Sequence, residues 1–175
     1  MNPAYCVEFF RNDRDRSEYA RVKKTAYSLY KYLQLQSTKD RIAAVNAVGV
    51  ASQEVQACIV DHASSLGFQS EKKRLFANYR TSGLRPDYYL RLPTGNGILF
   101  EVERGKTLAN NMDLLDIWKC HICTQANYLF LLVPQERPDR HGQLRPVFPK
   151  VVDRMRSFFE EANYVNVYGL FVFGY

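Results

Sequence analysis

Apolar positions change period several times along this chain, and each change predicts an element. From Ser17 to Gln36 the apolar residues Val22, Ala26, Leu29, Tyr30 and Leu33 fall at helical spacing, with Ser17 as the N-cap. A short helix follows from Thr38 or Asp40 to Val48, ended by Gly49. A third runs from Ser52 to Leu66, with Gly67 at the C′ position and Val55, Ile59, His62 or Ala63, and Leu66 as its buried stripe. The period then shortens. Phe68 to Tyr79, centred on Arg74, Leu75, Phe76 and Ala77, reads as a strand. Asp87 to Glu103 reads as two strands joined by the turn residues Pro93 to Gly97. Thr107 or Asn110 caps the next helix, which reaches Cys123. Its stripe is Leu108, Met112, Leu115, and Trp118 or Lys119, and it leaves Asp113 and Asp116 to one side. Tyr128 to Val133 is continuously apolar, the pattern of a strand covered on both faces. Pro134 ends it, and a loop from Gln135 to Pro149 carries Arg137, Arg140, His141 and Arg145. A helix from Val151 to Ala162 and a strand from Tyr164 to Phe173 complete the chain. Ala4 to Phe10 is either an added strand or a docked arm.

This succession makes an α/β chain with a central mixed sheet flanked by helices. At 175 residues it is expected to be a single domain spanning 1–175, with residues 1–50 as a mainly helical N-terminal extension. Hydrophobic residues make up 46% and charged residues 24%, which excludes an intrinsically disordered chain. No apolar run is long enough for a membrane span, and no signal-peptide pattern opens the sequence. Four irregularly spaced cysteines then predict reduced thiols and a cytoplasmic setting. The net charge of +6 points to a polyanionic partner.

The hairpin holds the candidate chemistry. If it is symmetric about Gly95, Asp87 lies opposite Glu103 and Tyr89 opposite Glu101. Glu101 and Glu103 share a face because strand side chains alternate. Opposed side chains are roughly 5 Å apart, and like charges there repel. Three carboxylates in that space ask for a cation, and hard oxygen ligands suit magnesium or manganese.

At these residues the chain resembles the PD-(D/E)xK nuclease superfamily, whose fold is that of restriction endonucleases. Pro86-Asp87 stands for the PD pair, and Glu101-Val102-Glu103 stands where (D/E)-x-K usually stands, with Glu103 replacing the lysine. The resemblance covers roughly residues 50 to 135. It implies a restriction-endonuclease-like central mixed sheet with the site on a β-hairpin. The activity it implies is metal-dependent hydrolysis of DNA phosphodiester bonds in a restriction, defence or mobile-element role. RNA is the alternative substrate, and a homodimer is the assembly often seen in such enzymes. Asp87, Glu101 and Glu103 would be the Mg2+ ligands, with Mn2+ as a substitute, and Lys106 the electrostatic helper. Lys119 is the second contender for the displaced lysine, and Glu54 the accessory acid from the preceding helix. Arg80, Arg85 and Arg104 are the candidate contacts to nucleic acid. The competing readings are a non-cleaving nucleic-acid-binding module of the same fold within a larger complex, and a protein-binding role for the acids.

Other chemistry is weaker. Cys120-His-Ile-Cys123 lacks the distant second pair a zinc site needs. Gly105-Lys106-Thr107 lacks the upstream glycine of a phosphate-binding loop, since Phe100 stands there. The histidines His62, His121 and His141 form no recognisable catalytic set.

Overall fold

The computed structural model describes residues 4–11, 15–46, 52–70, 75–81, 84–105, 107–139 and 141–175. The expectations placed on Val48, Gly49, Arg74, Lys106 and Arg140 lie outside the described residues. The elements run β1 (Tyr5–Phe10), α1 (Arg16–Gln34), α2 (Gln36–Val45), α3 (Ser52–Ser65), β2 (Gln69–Ser70), β3 (Tyr88–Arg91), β4 (Gly97–Val102), α4 (Met112–Ile122), β5 (Tyr128–Val133), β6 (Glu136–Pro138), β7 (Leu144–Pro146), α5 (Phe148–Ser157) and β8 (Gly169–Gly174). Among the described residues no helix is long and apolar enough to cross a membrane.

A six-stranded mixed sheet, ordered β1-β8-β5-β4-β3-β2, forms the centre. β4, β5 and β8 run parallel, whereas β1, β3 and β2 are each antiparallel to the neighbour they join. The connection from β4 to β5 passes through α4, as a parallel pair requires. One face of the sheet buries Ile98, Phe100, Phe130 and Phe171 beneath Val22, Leu29, Val55 and Ile59 of α1 and α3. The other buries Leu99, Leu129, Leu131 and Leu170 beneath Ile117 and Cys120 of α4 and Val151 and Met155 of α5. Each such fully buried side chain stabilises by about 1.5–3 kcal/mol. Alternation along β4 therefore sends Leu99 and Glu101 toward α4, and Phe100 and Val102 toward α1 and α3.

Several boundaries depart from the sequence reading for physical reasons. Ala4 to Phe10 is resolved in favour of a strand, paired with β8 along its length. Asp15, not Ser17, caps α1, accepting from the Ser17 and Glu18 backbone N–H groups at 2.7 and 3.3 Å. The strand expected from Phe68 to Tyr79 shrinks to Gln69–Ser70, and residues 75–78 form a turn. Adjacent Leu75 and Phe76 both bury on the α4 side, which a turn permits and an alternating strand does not. The loop from Gln135 contains the β6–β7 hairpin, and α5 starts at Phe148, with Pro149 in its first turn where no N–H partner is needed. The last strand starts at Gly169, five residues later than Tyr164.

The β3–β4 hairpin is real, but its register is shifted. Tyr88 pairs with Phe100 and Tyr89 with Leu99, so the ladder is symmetric about Thr94 rather than Gly95. The turn closes through Leu92 N–H to Asn96 C=O at 2.7 Å and Gly95 N–H to Leu92 C=O at 3.1 Å, with Gly95 at φ 95°. Gly97 is fixed by close approach: a Cβ there would meet the Tyr89 ring and lie 2.8 Å from the Gln125 carbonyl. Continuing this register outward brings Asp87 opposite Glu101, not Glu103.

The largest reversal is on α4. Its predicted apolar stripe is turned partly outward, with Leu115 37% and Trp118 40% exposed. Asp113 and Asp116 are buried instead, together with Ile117 and Cys120, and of the alternatives Trp118 and Lys119 it is the lysine that is buried.

Candidate active site

The end of β4 and the inner face of α4 assemble one charged cluster. Asp87, just before β3, is tied to β4 twice. Its carboxylate accepts from the Val102 N–H at 2.9 Å, and its own N–H donates to Glu101 Oε2 at 3.2 Å. Glu101 is 3% exposed. Its Oε1 lies 2.6 Å from Lys119 Nζ, and that ammonium also lies 2.7 Å from Asp116 Oδ1. Lys119 thereby gives one charged contact to each acid, and Asp116 Oδ2 is buried without a hydrogen bond among the described residues. Glu103 sits at the rim with Thr107 Oγ1 3.5 Å away, while its backbone carbonyl accepts from the Tyr175 hydroxyl at 3.1 Å. Asp113, one turn before Asp116, is neutralised separately by Arg154 at 3.0 Å.

Electrostatics follows from this crowding. Burial, and then the charge of Asp116, raise the Glu101 carboxyl well above the usual range. Burial, with the charges of Asp116 and Asp87, lifts Glu103 to about 8. Burial lifts Asp116 to about 6 although Lys119 opposes the shift. Asp87 is raised by burial as well, against the Val102 N–H, Lys119 and a hydrogen bond from the Gln56 side chain. Lys119 is raised, because Glu101 and Asp116 outweigh the cost of its burial. Four carboxyls thus share one buried ammonium. Taking several like charges out of water without compensation costs several kcal/mol per ion.

Of the residues singled out from the sequence, Asp87, Glu101 and Glu103 come together. Lys119 joins them directly, whereas Lys106 lies outside the described residues. Glu54 is exposed, and the side chain that α3 offers the cluster is Gln56. Arg85 is exposed but close enough to act on Asp87, and Arg80 is exposed in the bend before it. Arg104, half-buried, opposes Glu103 in its effect on the Tyr175 hydroxyl. Asp116 and Gln56 were not anticipated. For Asp116 a signal existed: Asp113, Asp116 and Lys119 recur every three residues, which puts all three on one helix face.

As they stand, the carboxylates converge on the Lys119 ammonium, and among the described residues no three His, Cys, Asp or Glu side chains are already spaced as a metal-ligand set. The donor chemistry nevertheless fits a hard divalent cation: carboxylate oxygens only, from more acids than the single lysine can neutralise. The cysteine pair shows no comparable excess. Cys120 and Cys123 are buried, burial raises the Cys120 thiol, and His121 Nδ1 accepts the Asn166 N–H at 2.9 Å. Comparison with protein-family models, with curated proteins and with solved structures finds no match to this chain.

Proposed function

We propose that this protein is a divalent-metal-dependent endonuclease that hydrolyses DNA phosphodiester bonds, of the PD-(D/E)xK type with E-x-E in place of (D/E)-x-K. The observation that carries the reading is the excess of buried carboxyl groups over cations where β3 begins and β4 ends beside α4. The topology is consistent with it. A strand, an antiparallel hairpin and a helical crossover to a buried parallel strand follow one another as β2, β3–β4, α4 and β5.

Asp87, Glu101 and Glu103 would hold Mg2+ or Mn2+. Such an ion, when bound, supplies positive charge for the transferring phosphate and makes water more acidic. The chain's own groups do the rest. The Val102 N–H and Gln56 fix the Asp87 carboxylate, and the Asp87 N–H fixes one oxygen of Glu101. Lys119, held in place by Glu101 and Asp116, provides a buried positive charge beside the acids, the part first sought in Lys106. Glu103, pushed up to about 8 by burial and by the charges of Asp116 and Asp87, holds a proton at the rim of the site that it would give up on becoming a ligand.

A second reading has one specific observation in its favour. Because the acids close on Lys119, the cluster also suits a non-cleaving nucleic-acid-binding module. Plasmid DNA, single-stranded DNA and RNA incubated with Mg2+ or Mn2+ separate the two. The nuclease reading predicts nicking of DNA that Asp87→Asn abolishes. Salt-sensitive binding without any cleavage by the unaltered protein would establish the second.

A further inference from the structure

A second charged cluster lies immediately beyond the acids, and its sign is opposite. A cavity of about 190 Å3 opens where Arg104 and Thr107 face the β6–β7 hairpin and the first turn of α5, and Arg137, Arg145 and Lys150 line it. Arg137 and Arg145 are directly paired across the hairpin. Side chains so paired share a face with Cβ atoms about 5 Å apart, and like charges there are destabilising. A two-stranded ribbon is marginal on its own, so it gains nothing structural from opposed arginines. Asp139 offsets one of them, bonding Arg145 Nε at 3.0 Å. That pair is largely exposed and weak. Arg137 lies flat over Gly105, where a Cβ would come within 3.4 Å of its guanidinium carbon. Arg137, Arg145 and Lys150 outnumber Asp139 in a space that fits one tetrahedral anion. The α5 N-terminus adds its partial positive charge.

Building on the nuclease reading, we propose that this cavity grips an internal phosphodiester of the nucleic-acid strand, next to the one presented to Asp87 and Glu101, with Arg137 and Arg145 as the principal contacts. The location supports a strand rather than a free anion. Arg104 follows Glu103 directly, and Thr107 belongs to both the cavity wall and the Glu103 environment. A polymer with regularly spaced phosphates can meet both clusters at once. The hairpin then acts as a strand guide, positioning substrate without taking part in the chemistry.

The test uses the full chain in EDTA, so neither metal nor cleavage enters. Binding of a 3′-labelled single-stranded DNA oligonucleotide, with and without a 5′-phosphate, is followed by fluorescence anisotropy over a salt series. Both oligonucleotides are expected to bind alike. Arg137→Gln and Arg145→Gln should each weaken binding about tenfold and reduce the slope of log K against log salt by about one. Arg137→Lys should restore the slope. If Arg137→Gln fails to fold by circular dichroism, Arg145→Gln decides alone. Unchanged affinity and slope in the glutamine variants, or binding that needs the 5′-phosphate, overturns the proposal. An inactive enzyme with intact, arginine-dependent binding would instead remove the nuclease reading and leave this one standing.

Discussion

Two buried carboxylates, on opposite faces of one sheet, are handled in contrasting ways. Glu18 of α1 accepts from the Tyr128 hydroxyl at 2.8 Å, from Asn96 Nδ2 at 3.0 Å and from the Thr94 hydroxyl. Both of its oxygens are satisfied, and the result is a clamp between α1 and the β3–β4 turn. Glu101 of β4 lies as deep, yet it shares its one cation, Lys119, with Asp116, whose Oδ2 is buried without a hydrogen bond among the described residues. A fold that can satisfy one buried acid fully has no structural need to leave another exposed to repulsion. The first arrangement is architecture. The second stores electrostatic cost at a site that a cation relieves.

The sharpest way to break this contrast is to remove one partner on each side. Lys119→Met leaves Glu101 and Asp116 buried without their cation and should cost about 4 kcal/mol of stability in EDTA, much of it regained with Mn2+. Glu18→Ala strands three donors and should cost about 3 kcal/mol, with no recovery on adding metal. Urea denaturation of both variants, with and without Mn2+, reads the difference. Equal metal responses would mean that the two regions are alike.

Acidity sharpens the comparison with a smaller effect. The folded values of Asp116, about 6, and Glu103, about 8, lie above their ordinary values of 3.8 and 4.5. Stability from these groups is therefore fully present at low pH and is lost as pH rises, first through about 6 and then through about 8. Each proton so retained contributes a slope of about 1.4 kcal/mol per pH unit. Thermal denaturation in EDTA should show falling stability from about pH 4 to about pH 8, the reverse of a protein whose acids are salt-bridged. Glu103→Gln should remove the upper part of that fall, raising stability by about 1 kcal/mol at pH 8 after allowance for its partial exposure. A flat profile for the unaltered chain would contradict the assigned burial.

Much of the fold was legible because periodicity reports burial. The continuous run Tyr128–Val133 is a fully buried strand, and α1 and α3 fall close to their expected bounds. Periodicity misled where charge was buried. On α4 the apolar Leu115 drew the stripe away from Asp113 and Asp116, because hydropathy counts a buried acid as solvent-facing, and it left Trp118 and Lys119 as alternatives of which the lysine is the buried one. Asp87, Glu101 and Glu103 were found through local sequence, and the hairpin holds them together even though its register is centred on Thr94. Gln56 and Arg137 could not be found that way. Each reaches its cluster through tertiary packing of an element distant in sequence from β3 and β4.

The central claim is that the acids around Glu101 recruit a divalent ion. Isothermal titration with Mn2+ at pH 8 tests it most directly, in the unaltered chain and in Asp87→Asn. The account predicts saturable binding with proton release, as raised carboxyls ionise on metal uptake, and its loss in the variant. No heat and no proton release in the unaltered chain would contradict it.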